Sequence, residues 1–249
     1  MKRYFRAFIM SMTMFTVIPM PFRMWDDESR PLMTLCLPFV GAVTGGLWAL
    51  TAYVADVLGI PLFLKAAVLC AFPFIVTGGM HMDGFLDVTD ALRSWRDVEE
   101  RRRILKDPHV GSFAVMDAVI LVMAQFAAFC SLKGTENIFA LILIPVVSRC
   151  MAAFCVTALP PIPTSEYSGN YRQGVKKPHL VFIAVVTIAA AVLGFVFLGR
   201  SGWVSTVTAA GYLLYMHRAY RSLGGMSGDI SGYALMFGEL CGIIAFALI

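Results

Sequence analysis

The sequence predicts an all-α polytopic integral membrane protein, with about seven membrane helices and a short N-terminal interfacial or re-entrant helix, organised as a single membrane-embedded domain over residues 1–249. Three observations carry that prediction. Hydrophobic residues make up 59% of the chain and charged residues 14%, with a mean hydropathy of +0.76, against about 25% charged residues in ordinary globular domains. The apolar residues are gathered into continuous runs close to the ~20 residues that carry a helix across a bilayer. Those runs do not alternate with period two, which sets aside a β-barrel.

The elements follow in order. Lys2, Arg3 and Arg6 open the chain and precede an apolar run from Phe8 to Ile18. That run is too short to span, so an interfacial or re-entrant helix is expected. It ends in Ile18-Pro19-Met20-Pro21 without a small-residue cleavage site, so no cleavable signal peptide is expected. The first span is 32–57, with Gly41 and Gly45 as a small-xxx-small pair that allows close helix approach. A turn at Gly59-Ile60-Pro61 leads to a second span, 62–77, and then to a long polar stretch, 78–109. Further spans are expected at 112–132, 138–159, 179–198, 202–220 and 233–249.

Basic residues are distributed unevenly among the loops. With the N-terminus in the cytoplasm and the first helix not crossing, Lys65, Lys133 and Arg200 fall outside and Arg149 lies within a span, while all other lysines and arginines stay inside. The loops at 78–109, 160–178 and 221–232 then meet on the cytoplasmic face. A net charge of +4 is too mild to imply nucleic acid. The six cysteines lie in apolar runs without a CxxC pair and read as packing residues, not as disulfides or metal ligands.

The chemistry concentrates in Gly78-Gly79-Met80-His81-Met82-Asp83-Gly84-Phe85-Leu86-Asp87-Val88-Thr89-Asp90. Steps of four and three put Asp83, Asp87 and Asp90 on one helical face. A solvated acidic face is the plain reading. Beside a membrane span, however, unpaired acids are expensive and usually functional. Magnesium bridges one or two carboxylates to substrate phosphates, so the cluster points to a magnesium site for a diphosphate. His81, roughly opposite the aspartates by helical pitch, is a candidate base, a substrate contact or merely interfacial. Lys106 and His109, near Gly111, are candidates for neutralising phosphate, while Arg101 to Arg103 beside Glu99 and Glu100 read as a headgroup-facing stripe. Arg149 lies in an apolar run and needs a partner, either an aspartate of the cluster or a phosphate. Ser227-Gly228-Asp229, after two glycines and before a helix, reads as an anion-binding turn or a helix cap, with Asp229 a further candidate ligand and Glu239 a second intramembrane acid. Asn170, Tyr171 and Arg172, flanked by glycines, form a candidate substrate loop.

These residues resemble a known family. Residues 78–92 are similar to the Gly-Gly-Leu-His-x-Asp-Gly-Leu-x-Asp-x-x-Asp-Gly-Leu signature of the cobalamin synthases, the adenosylcobinamide-GDP ribazoletransferases. Lys106-Asp107-Pro108-His109-Val110-Gly111 resembles their Lys-Asp-Ser-Arg-Ile-Gly segment, Ser148-Arg149 matches their intramembrane arginine, and Gly224-Gly225-Met226-Ser227-Gly228-Asp229 with Glu239 is similar to their second glycine-rich motif. Order and spacing agree over nearly the whole chain. Ala91 stands where the family has glycine, Pro108-His109 replace Ser-Arg, Ser227 replaces threonine and Ile230-Ser231 depart from the usual pair. The loss of one arginine bears on substrate binding rather than on the reaction class.

The resemblance implies a multi-pass cytoplasmic-membrane enzyme of bacteria or archaea whose active site faces the cytoplasm. It implies transfer of the cobinamide phosphate of adenosylcobinamide-GDP to α-ribazole or its 5′-phosphate, with release of GMP and with magnesium as metal. On that footing Asp83, Asp87 and Asp229 are the expected metal ligands and Asp90 or His81 the base. Arg149, Lys106 and His109 are expected at the phosphates, and Asn170, Arg172, Ser227 and Gly228 in substrate binding. The partners are the two substrates and the lipid bilayer, with a homo-oligomer open. A CDP-alcohol phosphotransferase is the nearest alternative, but its Asp-Gly-x2-Ala-Arg pattern is not matched beyond Asp83-Gly84. A transporter using Arg149 and Glu239 is a further alternative, without an inverted repeat to support it. A scaffold would leave the aspartates unexplained.

Overall fold

The computed structural model describes residues 2–22, 24–134, 137–163 and 177–249, and among these it contains ten α-helices and no β-strand. The first, α1 (Lys2–Phe15), has 14 residues, or about 21 Å at 1.5 Å per residue, short of the ~30 Å hydrocarbon core. It lays Ala7, Met10 and Phe15 against α2 (Met33–Val57) and leaves Lys2, Arg3 and Arg6 exposed. The expected short N-terminal helix is therefore present. After α1 the chain turns back, and the Val17 N–H donates to the Val76 carbonyl (2.9 Å), which brings the end of α1 to the end of α3 (Leu62–Val76).

Between α3 and α4 (Met80–Arg93) the axis bends by 88°. Gly78 and Gly79 make the elbow, with φ of 62° and 78°, a left-handed region that side chains disfavour. The Gly79 N–H donates to Phe74 O (2.9 Å), closing the end of α3. α4 buries Phe85, Val88 and Ala91 on one side and leaves Asp83 exposed on the other.

The remaining helices are α5 (Val98–Ile104), α6 (Ser112–Cys130), α7 (Ala140–Ala158), α8 (Lys177–Leu198), α9 (Trp203–Leu223) and α10 (Gly228–Leu248). The most extensive packing joins α9 to α10, α2 to α7 and α4 to α10. The expected small-xxx-small pair accounts for the second of these: a Cβ on Gly41 would lie 2.6 Å from Pro145 O, and one on Gly45 would lie 2.8 Å from Ile142 Cα. All six cysteines are free.

By length and composition, five helical segments among the described residues are able to cross a membrane, or six if the bent pair α3–α4 is taken as one. The sequence suggested about seven. The difference has two sources. α3, with 15 residues, is shorter than a full span. The run Lys177–Leu223, 47 residues, counts as one segment by length and composition although it comprises two helices. It turns back at the 3-10 turn Gly199–Gly202, where Phe195 and Trp203 meet edge to face at 5.1 Å. An all-α polytopic architecture stands on either count.

Polar elements gather at one end of the bundle. Arg102 donates to Leu223 O (2.8 Å) and Gly224 O (3.2 Å), and Arg101 to Ser222 O (3.4 Å). These cations sit where the α9 carbonyls lack helical partners and where the helix dipole is negative. The expected headgroup stripe thus resolves otherwise: Arg101 and Arg102 close a helix end, and Arg103 pairs with Glu100 (2.6 Å). Residues 160–162 join the same end, with Met226 N–H donating to Pro160 O (2.8 Å) and Ile162 N–H to Met226 O (2.9 Å).

Candidate active site

The first turn of α4, the N-terminus of α10, the middle of α7 and the end of α1 enclose a cavity of about 360 Å³. α4 and α10 meet here backbone to backbone. A Cβ on Gly84 would lie 2.9 Å from Asp229 Cα, and one on Gly232 would lie 3.3 Å from His81 O. Glycine at both positions lets two acidic helix starts approach. Asp83 and Asp229 face the cavity from the two sides, and Gly228 lines it beside them.

Ser227 places Asp229. Its backbone is extended, and its hydroxyl accepts from the Ile230 N–H (3.1 Å), so it is the N-cap of α10. The same hydroxyl lies 3.4 Å from Asp229 Oδ2. The cap reading and the ligand reading of this motif are therefore compatible: one residue starts the helix and the next acid looks into the cavity.

His81 lines the same cavity as Asp83, although helical pitch sets the two on opposite sides. The cavity wraps the first turn of α4, where Met80, His81, Asp83 and Gly84 all reach it. The imidazole Nε2 is buried and has no hydrogen-bond partner among the described residues. The ring lies within electrostatic reach of Arg149.

Arg149 forms part of the cavity wall. Among the described residues its charged partner is Glu239 and not an aspartate of the cluster. Arg149 Nη1 donates to Glu239 Oε1 at 2.7 Å, and Ser148 Oγ donates to the same oxygen at 2.9 Å. Both side chains of the pair are under 5% exposed. The carbonyl of Pro145, inside α7, accepts from Arg149 Nη1 (3.4 Å) and lies 3.2 Å from Ser148 Oγ. Arg149 Nε is buried without a partner among the described residues. The guanidinium is thus held from behind by Glu239 and retains an unsatisfied N–H.

Asp87 is partly buried and within electrostatic reach of Asp83, Asp229 and Asp90. Among the described residues no three His, Cys, Asp or Glu side chains are drawn together tightly enough to form a complete metal cage. The donors present are all carboxylate oxygens on two helices, which is the ligand chemistry of a hard divalent cation.

Asp90 stands apart. Its carboxylate accepts from the Gly111 N–H and lines a separate, open crevice of about 370 Å³ with Asp107 and His109. His109 is 90% exposed and binds Asp107 twice, through Nδ1 (2.7 Å) and its backbone N–H (3.0 Å). That backbone bond, then the ring, hold the Asp107 carboxyl below the usual range. Lys106 is exposed and reaches neither cavity. Asn170 and Arg172 lie outside the described residues. The sequence reading missed the α1 and α2 wall, where Met14, Phe15 and Thr34 close the cavity. The apolar face of the short N-terminal run was its only signal.

Residues 7–247 match the family model described as cobalamin-5-phosphate synthase. A protein of Clostridium botulinum (strain Alaska E43) is 35% identical over 251 residues, covering 100% of this chain and 99% of its own. One from Clostridium perfringens (strain SM101) is 34% identical over 252 residues and covers both chains completely. One from Listeria monocytogenes is 27% identical, covering 98% of each chain. All three bear the name adenosylcobinamide-GDP ribazoletransferase. No solved structure matches.

Proposed function

The chain belongs to the cobalamin-5-phosphate synthase family, and on that premise we propose how its cavity performs the reaction of an adenosylcobinamide-GDP ribazoletransferase, the closing step of nucleotide-loop assembly. In that reaction a ribose hydroxyl of α-ribazole, or of its 5′-phosphate, attacks the phosphorus that carries the cobinamide. A new P–O bond forms, the bond to the GMP oxygen breaks, and the hydroxyl proton passes to a base.

The observation that supports this reading is the convergence of Asp83, Asp229, Arg149 and His81 on one cavity of about 360 Å³. That volume suits a diphosphate with part of a nucleoside, and the corrin ring rests outside it. Asp83 and Asp229, with Asp87 beside them, are the residues that would hold magnesium. Magnesium ordinarily takes one or two carboxylates and completes its shell with phosphate oxygens and water, so an open carboxylate pair suits it better than a closed cage. When bound, the ion supplies charge neutralisation at the transferring phosphoryl group.

Arg149, in the wall of the cavity, places its positive charge beside the same group, and Glu239 keeps the guanidinium from turning away. A preorganised cation of this kind acts where charge develops in the transition state. His81 lines the cavity and is the residue assigned to take the hydroxyl proton, through an Nε2 that is buried and without a partner among the described residues. Asp90, tied to Gly111 in the neighbouring crevice, is the less suitable base. The site is assigned to the cytoplasmic side of the cytoplasmic membrane, a reading supported by the excess of lysine and arginine in the sequence segments that carry it.

The test is GMP release from adenosylcobinamide-GDP by purified protein in lipid, with magnesium varied. Turnover that requires magnesium and falls at least about tenfold in Asp229→Asn, as loss of a metal ligand predicts, supports the proposal. Full turnover in EDTA, or normal magnesium dependence in that variant, overturns the assignment of the metal.

A further inference from the structure

Behind α4, on the face away from the aspartates, lies a second cavity of about 410 Å³ between α4, α6, α9 and α10. Its mouth is polar and its depth is apolar. At the mouth, Arg93 forks onto Asp117, with Nε to Oδ2 at 3.0 Å and Nη2 to Oδ1 at 2.8 Å. Arg218 lines the mouth from α9 and is exposed. The Tyr233 hydroxyl lies within electrostatic reach of Arg218, Tyr215, Asp117 and Arg93. Two arginines and one aspartate leave a single positive charge. Further in, Ile120, Ala124, Phe237 and Leu240 continue the wall. Ile120 is 59% exposed on the apolar outer side of α6, so the wall opens toward lipid.

Two more observations point to a bound molecule. Thr89 is 4% exposed and lines the cavity, and its buried hydroxyl has no hydrogen-bond partner among the described residues. A buried hydroxyl without a partner is unfavourable unless a ligand or water meets it. Trp95, 86% exposed, follows α4 directly beyond Arg93, and tryptophan and tyrosine mark headgroup depth in membrane proteins.

We propose that this cavity is a binding site for one anionic phospholipid. Its phosphodiester sits between Arg93 and Arg218, a glycerol or ester oxygen meets Thr89, and an acyl chain runs along Ile120, Ala124 and Leu240. The single net positive charge of the mouth matches one phosphodiester. Since Arg93 ends the helix that bears the aspartates, a lipid seated there braces α4 from behind. The site is separate from the aspartate cavity and does not depend on the function assigned to it.

Native mass spectrometry of the full-length protein released from micelles tests the site, with phosphatidylglycerol and phosphatidylcholine supplied as competing probes. The wild type is expected to retain one phosphatidylglycerol in preference to phosphatidylcholine. Arg218→Gln is expected to weaken that retention about fivefold, the contribution of one basic residue near a membrane surface. Thr89→Val, which keeps shape and removes the hydroxyl, is expected to weaken it as well. Arg96→Gln, an exposed cation at the same end, is expected to leave it unchanged. Equal retention of the two lipids, an Arg218→Gln protein that behaves like Arg96→Gln, or displacement of phosphatidylglycerol by millimolar inorganic phosphate would each overturn the proposal.

Discussion

Gly84 and Asp229 touch: a single added carbon on the first would lie 2.9 Å from the Cα of the second. The separation of the two acidic helix starts is therefore set by a hydrogen atom. Asp83 and Asp229 face one cavity because nothing larger stands between their backbones.

Gly84→Ala is expected to force α4 and α10 apart. Overpacking of this kind costs about 1–3 kcal/mol, and a carboxylate displaced by about 1 Å loses on the order of a hundredfold in rate. GMP release should fall much further than thermal stability, measured on the same preparation. A loss of stability with retained turnover per folded molecule would contradict the geometry.

The Arg149–Glu239 pair gives a second expectation. Removing one partner leaves a buried charge alone, which destabilises by about 3–5 kcal/mol. Glu239→Ala should therefore unfold at clearly lower temperature than the wild type, and Arg149→Met/Glu239→Met should recover much of that loss. The double variant remains inactive, because the cation at the phosphates is gone. Thermal unfolding in detergent and GMP release, read side by side, separate the two roles of the arginine.

His81 predicts a division between binding and turnover. In His81→Asn the ring nitrogen is lost with little change of size. The rate at saturating substrate should drop by about 10²–10⁴, the usual contribution of a general base, with KM altered little. If KM rises and the maximal rate holds, His81 contacts substrate and the base lies elsewhere, with Asp90 the next candidate.

A fourth expectation concerns the turn before α10. A Cβ on Gly225 would lie 2.6 Å from Ile162 N, at the place where Met226 exchanges hydrogen bonds with residues 160 and 162. Gly225→Ala should break that link and free the loop end from the site. Limited proteolysis near residue 162 should quicken, and activity should fall without loss of the helical signal.

The helices and several residues of the candidate site could be read from local pattern. Gly78-Gly79, three aspartates at steps of four and three, and a capped acid at Ser227-Gly228-Asp229 are short-range signals, and each appears in the structure as a turn, a helical face and an N-cap. What the pattern did not reveal depends on tertiary approach. Glu239 lies ninety residues from Arg149, so the sequence marked both as costly intramembrane charges but did not pair them. His81 was set opposite the aspartates by pitch, whereas the cavity wraps a helix end, where pitch no longer separates faces. Arg101 and Arg102 read as a surface stripe because their carbonyl acceptors on α9 are some 120 residues distant. The span count differs because length decides it, and α3, with 15 residues, stops at the Gly78-Gly79 elbow.

That elbow also bears on traffic. A helix that ran on straight from α3 would carry its acids in line with the membrane-crossing axis and invite passage along it. The 88° bend instead ends the crossing at a sill, and the carboxylates stand along that sill. A ligand can thus meet those acids from the polar end of the bundle, without passing along the axis of α3.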